Sequence, residues 1–202
     1  MRVPQNFLRY LELHENSSKR LLNKAKCLTS REIEISADPD IVHIRKMVYN
    51  VVTEIHRMRG FVRLKPFGSH VLYGYLRPKH KIGSQVCDIF ARRTPNTLIL
   101  LGNSSESWIS ISFGDEILSI NGPGLTEGLA TIESVLNCSS YREVDIEKIW
   151  KSYYDSQYSP ERRNIMAFHR RMPMKTLNSA GLRLEKNKNG YTLEDFFDQE
   201  CR

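Results

Sequence analysis

Six apolar residues, Ile41, Ile44, Val48, Val51, Val52 and Ile55, recur at helical spacing behind an Asp38–Pro39 pair and ahead of Gly60. The aspartate suits an N-cap, where its carboxylate accepts a free first-turn amide, and proline suits the first helical position, where no N–H is needed. The pattern predicts a long amphipathic helix from Asp38 to Gly60, with the glycine as its stop. Immediately beyond, the apolar period drops to two. FVRLKPF and HVLYGYLRP alternate apolar with polar or basic residues, as half-buried strands do, and Gly68–Ser69 supplies a turn between them.

SQVCDIFARR reads as a second amphipathic helix, with Val86, Ile89 and Phe90 inward and Thr94–Pro95 as its end. TLILLG is short and continuously apolar, which suits a central strand. SWISISFG and DEILSI alternate again and join at Gly114–Asp115 in a hairpin, INGPGLTEG reads as a loop, and LATIESVLN fits neither period cleanly. From Asp145 the pattern is helical through IEKIWKSYYDSQY, with Ile146, Ile149, Trp150 and Tyr153 on one face. Ser159–Pro160 breaks it and opens PERRNIMAFHRRM, a helix that ends or kinks near Pro173. Helix, then strands with short connections, then helices predicts an α+β fold: a largely antiparallel sheet packed by helices in a single domain, rather than alternating parallel units. Residues 37–180 form that core. Residues 1–36 precede it as one or two helices interrupted near Asn16 to Ser18, and residues 181–202 follow as a tail.

With 202 residues and 40% hydrophobic content, the chain buries one sizeable core. No run approaches the roughly 20 apolar residues that span a bilayer, and MRVPQNFLRY lacks the apolar centre of a signal peptide, so the expectation is a cytoplasmic protein with no membrane partner. Cys27, Cys87, Cys138 and Cys201 lie far apart without a C-x-x-C pair, which argues against a metal or iron–sulfur site and for free thiols. No cofactor is expected.

The net charge of +7 favours polyanionic partners, and its distribution says more than its size. From Arg57 to Arg93 the cations are Arg57, Arg59, Arg63, Lys65, Arg77, Lys79, Lys81, Arg92 and Arg93, against Asp88 as the only acid. A second basic block holds Arg162, Arg163, Arg170, Arg171 and Lys175, whereas the stretch between the blocks is acidic. Arginine's planar donor fork grips phosphate oxygens in pairs. The expectation is a nucleic-acid-binding surface made by Arg57, Arg59, Arg63, Arg77, Arg92, Arg93, Arg162, Arg163, Arg170 and Arg171, provided the two blocks meet in space. Phe61, Phe67, Tyr73 and Tyr75 are interleaved with the first block, where packing in the core competes with stacking on bases.

His56, His80 and His169 sit within these blocks and are the candidate catalytic groups. Like charge disfavours the protonated form of a histidine among arginines, which leaves it available as a base or a donor to phosphate. A structural histidine is the commoner outcome at each position. Phosphate-loop, dinucleotide-binding, serine-elbow and zinc-peptidase motifs are all missing, and no carboxylate pair suggests a two-metal nuclease.

Three segments, EIHRMRGFVRLKPF, RPKHKIGSQVCDIFARRTP and IEKIWKSYYDSQYSPERRNIMAFHRRMPMK, together resemble the bacterial and archaeal family catalogued as domain of unknown function 4130. The similarity spans roughly residues 38–176. It implies a role in DNA metabolism, since such domains occur fused to uracil-DNA glycosylase-like modules or encoded beside a radical S-adenosylmethionine protein. No reaction is assigned to the domain itself. The matching polar positions are His56, Arg57 and Arg63, then His80, Arg92 and Arg93, then Arg162, Arg163, Asn164 and Arg171. The chain departs from the family at GNSSES, where relatives carry an acid and an arginine, and at Thr176–Leu177, where they carry an aromatic pair.

The reading that unites charge and resemblance is a DNA-binding accessory protein in repair or modification. The alternatives are a DNA-processing enzyme of glycosylase or lyase type with a histidine proton shuttle, and a basic docking module for a radical SAM or uracil-DNA glycosylase-like partner.

Overall fold

The computed structural model describes residues 2–136 and 174–180, together with Met166 and Arg170. Three short helices, α1 (Phe7–Leu13), α2 (Lys19–Lys26) and α3 (Ser30–Ile35), precede the long helix α4 (Pro39–Phe61). The interruption expected near Asn16 to Ser18 is real, and Ser18 caps α2 by accepting the Leu21 amide. The third helix is held by a reciprocal cap, in which Thr29 accepts the Glu32 amide and Glu32 accepts the Thr29 amide.

Helix α4 is the spine of the molecule. Asp38 accepts the Asp40 and Ile41 amides, as its position predicts. The first half of the buried stripe, Ile41, Ile44, Met47 and Val48, packs with Phe7, Leu11, Ala25 and Ile33 of the N-terminal helices. The second half, Val51, Ile55 and Met58, packs with Val86, Phe90, Ile99 and Leu101 beneath the sheet. One helix thus serves two apolar clusters and makes them parts of one α+β unit.

Gly60 is not the stop. The helix runs through it to Phe61, and the left-handed glycines are Gly68 and Gly114 instead. The end comes where Val62 turns extended and Arg63 Nη1 donates to the Gly60 carbonyl at 2.8 Å. The strand expected over FVRLKPF consequently shrinks to β1 (Lys65–Pro66), since Phe61 completes the helix and Pro66 has no N–H with which to extend a ladder.

The remaining elements are β2 (Val71–Tyr75), α5 (Gly83–Arg93), β3 (Leu98–Gly102), β4 (Ser107–Phe113), β5 (Glu116–Gly122), α6 (Leu125–Leu136) and α7 (Met174–Ser179). The five strands lie in chain order, β1-β2-β3-β4-β5. All neighbours are antiparallel except β2 and β3, which run parallel because α5 carries the chain back between them. The largely antiparallel sheet thus contains one crossover unit. Gly83 at the start of α5 lies flat against Trp108 of β4: a Cβ there would stand 2.0 Å from the indole. On the opposite sheet face, Ile132 of α6 packs with Val71 and Leu100, which resolves LATIESVL as helix.

The helices expected over IEKIWKSYYDSQY and most of PERRNIMAFHRRM fall outside the described residues. After Pro173 the chain forms α7. Among the described residues no helix is long and apolar enough to cross a membrane.

Candidate functional site

The connection from β2 to α5 leaves the sheet at the carboxyl end of its parallel pair, and four elements grip it. Leu76 N–H donates to the Gly102 carbonyl at 2.8 Å, and Asn103 Nδ2 returns a bond to the Leu76 carbonyl at 3.3 Å. Glu54, on the inner side of α4, accepts the Lys79 amide at 2.7 Å and the His80 amide at 3.1 Å. Lys81 N–H donates to the Leu13 carbonyl at the end of α1, and Arg77 N–H to the Ser179 carbonyl at the end of α7. A segment with no ladder of its own therefore has its backbone fixed, while its cationic side chains Arg77, Lys79 and Lys81 are exposed.

Beneath the connection is a compact titratable cluster. The His14 and His80 rings are buried with centroids 4.2 Å apart. His80 Nδ1 accepts the Glu15 amide at 3.4 Å, and His14 Nδ1 accepts the Asn16 amide at 3.1 Å. An imidazolium cannot accept, so both rings are neutral with the proton on Nε2. Burial lowers the pKa of both, and for His14 the neighbouring His80 lowers it further. The neutrality expected from surrounding arginines is therefore caused first by desolvation. His80 Nε2 stands 4.0 Å from Glu54, whose own pKa is raised by burial and partly restored by the two amides it accepts. Glu15 pairs with Lys79 at 2.9 Å over the top of the cluster.

Around it the cations are exposed. Arg57, Arg59 and Arg63 occupy the last turns and exit of α4, beside the exposed His56, and Arg77, Lys79 and Lys81 occupy the connection. Arg57, Arg59, Arg77, Lys81 and Arg92 make no ion pair with a described carboxylate. Asp88, the sole acid of this stretch, instead accepts the hydroxyls of Ser110 and Ser119 on the sheet. Arg92 and Arg93 are exposed at the far end of α5 from Arg77, 11 residues or about 16 Å along the helix axis, and Arg93 lies over the Phe90 ring at 5.7 Å.

Of the second block, Lys175 and Arg170 are exposed, and Lys175 sits on α7, whose end meets Arg77. Arg162, Arg163, His169 and Arg171 lie outside the described residues. Phe67 and Tyr73 pack edge-to-face at 6.2 Å and lie half-buried against the α6-side cluster. His80 is buried rather than displayed.

Sequence reasoning passed over Glu54, Glu15 and His14, which hold the connection in place. The available signal was the polar residue Glu54 on the otherwise apolar inner stripe of α4, one turn from Val51 and from Met58. Among the described residues no group of three or more His, Cys, Asp or Glu side chains is arranged to hold a metal ion. Cys87 is buried beneath the sheet, with its thiol pushed up to about 12 by desolvation. Cys27 is exposed, and Cys138 and Cys201 lie outside the described residues.

The family described as a domain of unknown function, DUF4130, matches residues 7–179. The chain belongs to that family. The match takes in α1 to α3 as well as the sheet, more than the span from 38 to 176 read from motifs. The histidine that follows α1, the glutamate of α4 and the cationic connection thus all fall inside the domain that DUF4130 describes. No curated protein and no solved structure matches the chain.

Proposed function

We propose that this protein is a nucleic-acid-binding accessory factor in DNA repair or modification, gripping phosphates with the cations around the β2–α5 connection. The observation that carries the reading is the exposed set Arg57, Arg59, Arg77 and Lys81, without an ion pair among the described residues, on two elements that Glu54 ties together. Guanidinium groups on anchored backbone lose little freedom when they meet phosphate, which favours binding over a merely solvated face. Duplex DNA supplies the matching charge density, and binding releases its condensed counterions. Fluorescence anisotropy of labelled duplex and single-stranded DNA across a salt series tests this. Affinity that falls linearly on a log–log plot supports the proposal, and affinity indifferent to salt refutes it.

A second reading is favoured by the His14–His80–Glu54 cluster beside those cations: a DNA-processing enzyme in which His80 moves a proton. It requires His80 to leave its buried position. Lesion-bearing oligonucleotides cleaved by the wild-type chain but not by the His80→Asn variant would support it. If the surface instead docks a radical SAM or uracil-DNA glycosylase-like partner, co-purification will survive nuclease treatment.

A further inference from the structure

The two edges of the sheet are built differently. The β1 edge is two residues long, with a lysine and a proline, both of which discourage strand addition. The β5 edge is seven residues, Glu116–Gly122, with no lysine and no proline. It carries Leu118 and Ile120, 62% and 63% exposed, and the hairpin beside it adds Phe113 at 50%. Opposite residues of β4 and β5 share a face, so Ile111 beside Leu118 and Ile109 beside Ile120 extend this apolar surface inward to α6.

The hairpin fixes which backbone groups of β5 are free. Gly114 at φ 61° begins a two-residue turn closed by Phe113 and Glu116, and such a turn makes its closing pair hydrogen-bonded. Alternation then makes Glu116, Leu118, Ile120 and Gly122 bond inward to β4. In agreement, the Ser112 carbonyl accepts from Asn96 on the other side of β4. Ile117, Ser119 and Asn121 are left with N–H and C=O directed at the open edge, where no other described strand pairs with them.

We propose that β5 pairs antiparallel with β5 of a second copy of this chain, about a two-fold axis at Ser119, to make one continuous ten-stranded sheet. In that register the free residues meet only free residues: Ser119 faces its own copy, and Ile117 faces Asn121. Leu118 faces Ile120 in the closer, non-hydrogen-bonded type of pair, where side chains touch best. The single charged residue of the strand, Glu116, faces Gly122, so no like charges oppose each other. The self-complementarity is that of an isologous contact. Both cationic connections remain outside it, because β1 and β2 lie at the opposite side of the sheet.

Sedimentation velocity of the full chain over a range of concentrations reads the association directly. Leu118→Lys with Ile120→Lys sets ammonium groups opposite one another at exposed positions, where monomer folding is undisturbed and circular dichroism verifies this. Ser119→Cys, oxidised and digested, reports the register through a peptide linked at position 119 to itself. The expected results are a wild-type dimer, a folded monomer for the double lysine variant, and the linked peptide. A wild type monomeric at every concentration, a dimer that survives both lysines, or a dimer without that linkage overturns the proposal.

Discussion

His14 and His80 lie with ring centroids 4.2 Å apart, tilted by 32°, and each Nδ1 accepts a backbone N–H, an arrangement that favours the neutral rings. Burial holds both pKa values below the ordinary 6.5; His80, Lys79 and His43 add to this at His14 and Lys79 adds to it at His80, while Glu15 favours protonation of both. The unfolded chain therefore takes up protons first as pH falls, and the stability these rings contribute is complete above about 6.5 and lost below it. Glu54, raised above 4.5, acts in the opposite sense and strengthens the fold only toward lower pH. Melting temperature should accordingly fall from pH 6.5 to 5. Replacing both rings by asparagine, whose Oδ1 accepts the same amides without titrating, should flatten that slope. A slope unchanged in His14→Asn/His80→Asn would show that the pair is not its source.

Glu54 accepts both the Lys79 and the His80 amides. In Glu54→Gln one oxygen becomes a donor, and one of the two amides, exposed at Lys79 and partly buried at His80, loses its partner at a cost of about 0.5–1.5 kcal/mol. Hydrogen exchange should speed at residues 79 and 80 before it changes in the sheet. Equal protection in variant and wild type would mean that the connection is held by other bonds.

The same strip of sequence shows what patterning reveals and what it hides. Asp38, Pro39 and the apolar stripe announced α4 because caps and periodicity are local. The end of that helix depended on Arg63 folding back to Gly60, and Gly60 itself sits in ordinary helical geometry, so the residue type pointed to the wrong event. Cations were legible as a block, but α5 places Arg92 and Arg93 at its far end from Arg77, a separation that spacing along the chain does not encode. The His14–His80 contact joins residues 66 positions apart and had no sequence signature at all.

Two glycines should respond oppositely to alanine. At Gly60 nothing lies within 4 Å of the added methyl and the backbone is helical, so Gly60→Ala should stabilise by about 0.5–1 kcal/mol. At Gly83 the methyl would enter the Trp108 ring, and Gly83→Ala should destabilise by about 1–3 kcal/mol or more. Urea denaturation measures both. A destabilised Gly60→Ala would restore the glycine to the role of helix stop.

The arginines should separate by position when DNA binding is measured. Arg57 and Arg77 stand on elements joined through Glu54, whereas Arg92 and Arg93 project from the far end of α5. If phosphates lie along the connection, Arg57→Ala/Arg77→Ala should weaken binding at every sequence. It should also reduce the salt slope by about 0.9 for each duplex phosphate contact removed. Arg92→Ala/Arg93→Ala should reduce the slope to the same degree only if the DNA runs the length of α5. Because all four side chains are exposed, melting temperatures should stay close to wild type, which keeps a binding loss distinct from misfolding. Slopes equal to wild type in both double variants would remove the phosphate contacts on which the proposed function rests.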